Sequence, residues 1–308
     1  MATTVARRGL LRHAPNKRRW RDNLEGYLFA APWLLGLLIW QLGPFAASAW
    51  FSLNKWDILT PMKFLGMNNY AQALSDPRFL QSLRVTVSYV FLALPAQLAL
   101  ALLLAILVNS ELPGMYFFRG VFYLPSVAAG VATAVLWRWL LNPQYGLINY
   151  LLSRIGIRGP MWLESETWAL PSLALMSLWG IGSTMLIYLA ALQSVPQQMQ
   201  EAAEIDGASA WKRFWHITLP MISSSVFFTL IMGIIGSFQI FAQAYVMTQG
   251  GPHYATLFYV LYLYQQAFQA FKMGYASALA WILFLIVMLV TLIQLRLGSR
   301  WVYYEVDG

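Results

Sequence analysis

The sequence has no cysteine and only three histidines. Disulfides, iron–sulfur clusters and thiolate chemistry are therefore excluded. His13, His216 and His253 stand too far apart for zinc-ligand spacing, and no lysine follows a glycine-rich phosphate loop, which rules out ATP hydrolysis by a P-loop on this chain. Charge is the scarcest commodity. Lys and Arg number 20 and Asp and Glu 12 among 308 residues, so charged side chains make up 10% where a soluble domain carries roughly 25%. Charge is missing altogether from 26–54, 85–110, 120–137, 167–200, 214–271 and 273–295. A soluble surface needs charge throughout, so these windows exclude a soluble domain, a coiled coil and a disordered chain. Nucleic-acid binding is excluded with them, despite a net charge of +8.

What is present is apolar: 59% of the residues are hydrophobic. A bilayer core takes about 20 apolar residues in a helix, and all windows but 120–137 are long enough. The expectation is all-α and integral to a membrane, with six transmembrane helices near 27–53, 85–108, 117–140, 170–192, 221–247 and 275–295. The third is completed by Arg119 and Arg138, whose cations can snorkel to the two interfaces. Gly250-Gly251-Pro252 breaks the longest window after the fifth helix. Residues 1–26 form a basic tail carrying Arg7, Arg8, Arg12, Lys17, Arg18, Arg19 and Arg21, so the N-terminus is expected to be cytoplasmic, and residues 27–308 make the transmembrane domain. Six crossings bring the C-terminus back to that side. The first apolar segment lacks an obvious small-residue cleavage site and is read as a retained helix. Trp33, Trp50, Trp56, Trp137, Trp139 and Trp162 are expected at the interfaces.

One segment, 193–220, departs from this apolar pattern. Pro196 suits the first turn of a helix with Ser194 as its cap. Gly207 falls where a helix ends in the left-handed conformation, and a second short helix should run from Ser209 and stop before Pro220. Met199, Ala202, Ala203 and Asp206 share one face of the first arm, beside Glu201, Glu204 and Ile205. By pattern alone this is a helix–turn–helix at the membrane surface, which could be a tether or a docking element.

The residues themselves resemble a known family. Glu201-Ala202-Ala203, Asp206-Gly207-Ala208 and Ile217-Thr218-Leu219-Pro220 are similar to the EAA loop of binding-protein-dependent ABC importer permeases, in the maltose and glycerol-3-phosphate permease-like, carbohydrate-uptake branch. Ala31-Pro32, Tyr123-Leu124-Pro125, Trp137 through Asn149, Thr248 through Pro252 and Gly274-Tyr275-Ala276 extend the likeness over most of the chain. The resemblance implies a type I ABC importer permease fold with a cytoplasmic coupling hairpin between helices four and five. It implies an inner (plasma) membrane location, bacterial or archaeal, and a second permease subunit, with a heterodimer expected. An ATPase dimer would carry the ATP and Mg and an extracytoplasmic binding protein would deliver a sugar; no cofactor belongs on this chain. By the same resemblance Glu201, Ala202, Ala203, Asp206, Gly207, Ile217, Leu219 and Pro220 belong to the ATPase-coupling hairpin.

Polar or aromatic groups within membrane helices are candidates for a substrate pathway. Trp179, Gly180 and Ser183 on the fourth helix and Ser237, Gln239 and Gln243 on the fifth supply hydroxyls, amides and a ring face, suited to a sugar or polyol. Each could equally pack helix against helix. The alternative function, a stand-alone secondary transporter of a neutral solute, would favour a membrane-embedded acid, and the predicted helix centres hold none.

Overall fold

The computed structural model describes residues 17–110 and 112–303, with side chains from residue 25 onward. Arg7, Arg8, Arg12 and His13 lie outside the described residues. The chain divides into two compact units, Met1–Phe51 and Ser52–Gly308.

The first unit is a helical run. α1 (Lys17–Gly36) passes through a π-turn, Leu37–Leu42, into α2 (Gly43–Ser52). Pro44 causes the π-turn. It has no N–H to give, and its ring crowds the carbonyl four residues back. The ladder therefore slips to a wider spacing, with the Gly43 N–H bonded to the Leu38 carbonyl. None of the described side chains from 25 to 51 is buried within the chain. Glu25–Ser52 is long and apolar enough to cross a membrane.

The second unit opens with a two-stranded antiparallel sheet, β1 (Asn54–Lys55) and β2 (Lys63–Phe64), which pairs Asn54 with Phe64 and Lys55 with Lys63. The short α3 (Asn68–Ser75) follows, and its Asn69 amide donates to the carbonyls of Ser52 and Asn54 at 2.8 and 2.9 Å. α4 runs over Pro77–Val108, eight residues earlier than predicted. Arg78 and Arg84 make its first turns read as loop, but Asp76 and Pro77 set the true start. Asp76 is extended, as a residue before proline prefers. Its carboxylate accepts the Arg78 N–H at 2.9 Å, and Pro77 occupies the one position where its missing N–H costs nothing.

The predicted third helix is not one helix. α5 (Met115–Val127) and α6 (Gly130–Leu140) meet at 98°. Pro125 ends the ladder, and Ala128 and Ala129 are extended at ψ 139 and 131. Arg119 donates from both Nε and Nη2 to the Val108 carbonyl at 3.1 and 2.8 Å, a cation closing the C-terminus of α4. After α7 (Leu147–Arg154), the predicted fourth helix is likewise broken. α8 (Glu166–Ser177), a 3-10 turn Leu178–Gly180 and α9 (Gly182–Gln193) bend by 49°.

α10 (Gln197–Ile205) and α11 (Ala210–Arg213) form the predicted helix–turn–helix. α11 continues through a π-turn, Phe214–Thr218, into α12 (Leu219–Met221). The second arm thus does not stop before Pro220. The π-turn moves the backbone so that Pro220 is accommodated, by the same device used at Pro44. A 65° bend leads into α13 (Ser223–Phe238). The predicted fifth helix then stops nine residues early, because Gln239 and Phe241 leave helical geometry before α14 (Ala242–Met247). α15 (Tyr259–Tyr264), a π-turn Gln265–Gln269 and α16 (Met273–Gly298) complete the described chain.

α4 is the axis of this unit. Thirty-two residues at 1.5 Å each give it a length of about 48 Å. Near its C-terminal end Ala101 and Ala105, fully buried, pack with Met185, Tyr188, Leu189 and Leu192 of α9. Small residues allow this close approach, and in lipid it is packing, not water exclusion, that holds helices together. Near its N-terminal end Phe79, Val85 and Tyr89 join Leu257, Phe258, Tyr259 and Leu279 in the largest core. Trp137 belongs to that core and meets Trp179 edge-on at 5.8 Å.

Candidate functional site

The breaks at 128–129, 178–181 and 239–241 converge. Each interrupts the helical ladder inside a charge-free window, and membrane proteins tolerate non-helical backbone only against protein or a wet cavity. Such a cavity exists. It measures about 330 Å³ and is lined from all three breaks, by Ser126, Ala128 and Gly130, by Ser177, Trp179 and Gly180, and by Ser237, Ile240 and Gln243. α4 supplies Tyr89 and Gln97, and α6 supplies Thr133. Among the described residues no charged side chain lines it. A Cβ placed on Gly130, Gly180 or Gly236 would meet nothing within 4 Å, so these glycines keep the space open.

Of the six predicted pathway residues, Trp179, Gly180, Ser237 and Gln243 line this cavity, and Ser183 and Gln239 do not. Ser183 is exposed in the first turn of α9, and Gln239 is exposed at the end of α13, where the helix stops short. Gln97, Thr133 and Ser177 were missed. Gln97 lies one helical turn before Ala101 in a run with no charge, so the criterion that flagged Gln243 applies to it equally.

The hairpin sits at the C-terminal end of α4, where Ile106 and Asn109 share a cavity of about 690 Å³ with Gln197, Gln200, Phe214 and Thr218. The first arm ends in two crossed hydrogen bonds, Ala208 N–H to the Ala203 carbonyl and Gly207 N–H to the Glu204 carbonyl, at 2.9 and 3.0 Å. Gly207 has φ 76. This is the left-handed cap that glycine supplies without strain. Ser209 caps the second arm, accepting the Lys212 N–H. Ser194 does not cap the first, since its hydroxyl turns back to the Ala191 carbonyl. Gln200 donates to Thr218 at 2.9 Å and Arg213 pairs with Glu204, so two contacts tie the arms together. Glu201 takes no part in that tie and is exposed, touched by the amide of Gln197 at 2.7 Å. Ala202, Asp206, Gly207 and Pro220 are exposed too, whereas Ala203, Ile217 and Leu219 are half-buried.

At the other end of α4 a second polar cluster fixes three elements. Asp76 accepts hydrogen bonds from the hydroxyls of Tyr262 on α15 and Tyr275 on α16, the latter at 2.9 Å. Partial burial pushes the carboxyl up, but these hydroxyls and the N–H groups of Arg78 and Phe79 outweigh it and hold the carboxyl below its ordinary value. Among the described residues no three of His, Asp and Glu converge as a metal cluster.

Bent apolar helices thus surround a cavity with no charged lining, and a two-helix element tied by two side-chain contacts lies at the end of α4. The chain belongs to the family of binding-protein-dependent transport system inner membrane components, whose sequence model matches residues 70–303. It is 42% identical to the probable ABC transporter permease protein YesP of Bacillus subtilis, over 92% of this chain and 94% of that protein. It is 32% identical to the arabinooligosaccharides transport system permease protein AraP of the same organism, over 93% and 94%. In fold it matches a chain of the bacterial alginate ABC transporter, solved with an alginate pentasaccharide-bound periplasmic protein. That TM-score is 0.82 at 21% identity, over 94% of this chain and all of the other. Membership sets aside the stand-alone secondary transporter and makes this chain a multi-pass inner membrane permease of an ABC importer.

Proposed function

We propose that this chain forms, with a second permease subunit, the pathway by which a sugar or polyol crosses the membrane. The two subunits are expected to form a heterodimer. Three continuous helices and three bent pairs make six spans, with both termini cytoplasmic. The helix–turn–helix of α10 and α11 is the coupling hairpin. It docks by Glu201, Ala202, Ala203, Asp206 and Gly207 into a cleft of a cytoplasmic ATPase dimer. Ile217, Leu219 and Pro220 carry the movement into α13. ATP and Mg belong to that ATPase, and an extracytoplasmic binding protein delivers the substrate.

One observation carries this reading: three helix breaks meet at a cavity lined by hydroxyls, amides and an indole, with no charge. A neutral polyhydroxylated solute matches that chemistry, and an anionic one finds no counter-ion there. The names of relatives that transport arabinooligosaccharides and trehalose or maltose support the sugar class. The two ties between the hairpin arms support coupling, since a lever must move as one body. The test is to purify the chain with the proteins that accompany it and to measure ATP hydrolysis across a panel of sugars and polyols. Sugar-stimulated hydrolysis is expected. If no ATPase accompanies the chain, the reading falls.

A further inference from the structure

We propose that a second cavity, at the N-terminal end of α4, is a glycan subsite, and that the transported substrate is therefore an oligosaccharide longer than a single sugar. The proposal rests on the importer reading above, which puts this end of the unit on the extracytoplasmic side.

The cavity measures about 650 Å³, within the range of small-molecule sites. Arg138, Trp139, Asn142, Tyr145, Glu164 and Thr248 line it. Trp139 and Tyr145 are 49% and 66% exposed, and large exposed rings inside a concavity are what the apolar face of a pyranose stacks upon. The polar groups are free to meet its hydroxyls. Arg138 spends one N–H on the Val246 carbonyl at 3.3 Å, and among the described residues neither Arg138 nor Glu164 has an ion-pair partner. One cation and one carboxylate balance, so the site presents donors and acceptors without a net charge to select an anion. The Asn142 carboxamide oxygen accepts the N–H groups of Gln144 and Tyr145 at 2.9 and 3.1 Å, which leaves its NH2 for a ligand.

The walls are built, not loose. Gly146 closes the turn after α6 so tightly that a Cβ would lie 2.3 Å from the Asn142 carbonyl oxygen. On the other side the buried Thr256 hydroxyl bonds the Gly251 carbonyl at 2.6 Å and the Thr248 hydroxyl at 2.7 Å, pinning the 248–252 turn.

Position supplies the length argument. α6 and α14 line both cavities, the smaller through Thr133 and Gln243 and the larger through Arg138 and Met247. Five residues of helix separate Thr133 from Arg138, about 7.5 Å of rise. A ligand touching both sites needs more than one ring, and it would enter the uncharged cavity with its trailing unit still held on Trp139.

The experiment uses the assembled transporter in proteoliposomes, with its binding protein saturating. The probes are glucose, galactose and arabinose oligosaccharides of increasing length. In Trp139→Ala and Arg138→Gln, uptake of the longer transported probes should fall about ten-fold, while the shortest transported probe changes by less than about two-fold. Affinity for the binding protein should be unchanged. An equal loss at every length, or no loss, overturns the subsite. Weakened binding-protein affinity as the only effect also overturns it and assigns the face to protein docking. If no probe stimulates the unaltered transporter, the sugar reading fails first and the subsite with it.

Discussion

The carboxylate of Asp76 accepts the hydroxyl of Tyr275 at 2.9 Å across 199 positions of sequence. The same group caps α4, so one side chain fastens α4, α15 and α16 together.

This contact predicts an acid-sensitive stability. The folded carboxyl sits below its ordinary value of 3.8, so its contribution is fully present above that pH and is lost as pH falls through the folded value. Asp76→Asn should lower stability at neutral pH by about 1–3 kcal/mol. The gap between variant and wild type should close as pH drops below about 3.8. Thermal unfolding in detergent across pH measures this. A pH-independent gap would show that packing, not the charge, is responsible.

Gly207 makes a separate prediction. A β-branched residue at φ 76 costs about 1–2 kcal/mol, and no neighbour lies within 4 Å of a Cβ there, so the strain is purely conformational. Gly207→Val should leave the chain in the membrane but uncouple uptake from ATP hydrolysis. Gly207→Asn, which tolerates the left-handed region, should retain coupling. Glu201→Lys should reduce co-purification of the ATPase, whereas Glu204→Gln should not, since an exposed pair such as Glu204–Arg213 contributes about 0–1 kcal/mol. Pull-down yields decide between them.

Two glycines separate transport from folding. Gly236→Leu adds a side chain to open space in the uncharged cavity, so the protein should accumulate normally and take up substrate at least about ten-fold more slowly. A Cβ on Gly182 would lie 2.4 Å from the Phe122 carbonyl oxygen, a backbone atom that cannot step aside. Gly182→Ala should cost about 1–3 kcal/mol and lower the amount of protein in the membrane. Quantitative blots beside uptake assays test both.

The sequence was most legible where local chemistry acts alone. Gly207, Ser209 and the small face of α10 are local, and the hairpin follows them closely. Hydropathy located the apolar segments correctly but said nothing of their continuity, because a bent pair and a straight helix present the same composition. Pro125 and Gly130 flank the break in the third segment, while the absence of charge from 120 to 137 reads through it. Gln239 falls outside the uncharged cavity because a helix expected to reach Met247 ends at Phe238. Nothing local marks Asp76, because its partners, Tyr262 and Tyr275, are remote in sequence. Gln97 was readable and passed over. The larger cavity depends on α6, α14 and two turns meeting in space, which no single segment reveals.

The elbow between α5 and α6 bears on how the protein is made. With 13 and 11 residues, each arm falls short of the about 20 residues that satisfy a bilayer alone. The extended Ala128-Ala129 step would present bare peptide groups to lipid. The cavity walls opposite it, Trp179, Gly180 and Ser237, come from segments some fifty to a hundred residues further along the chain. The surroundings of the elbow are therefore complete only once the second half of the chain is in place.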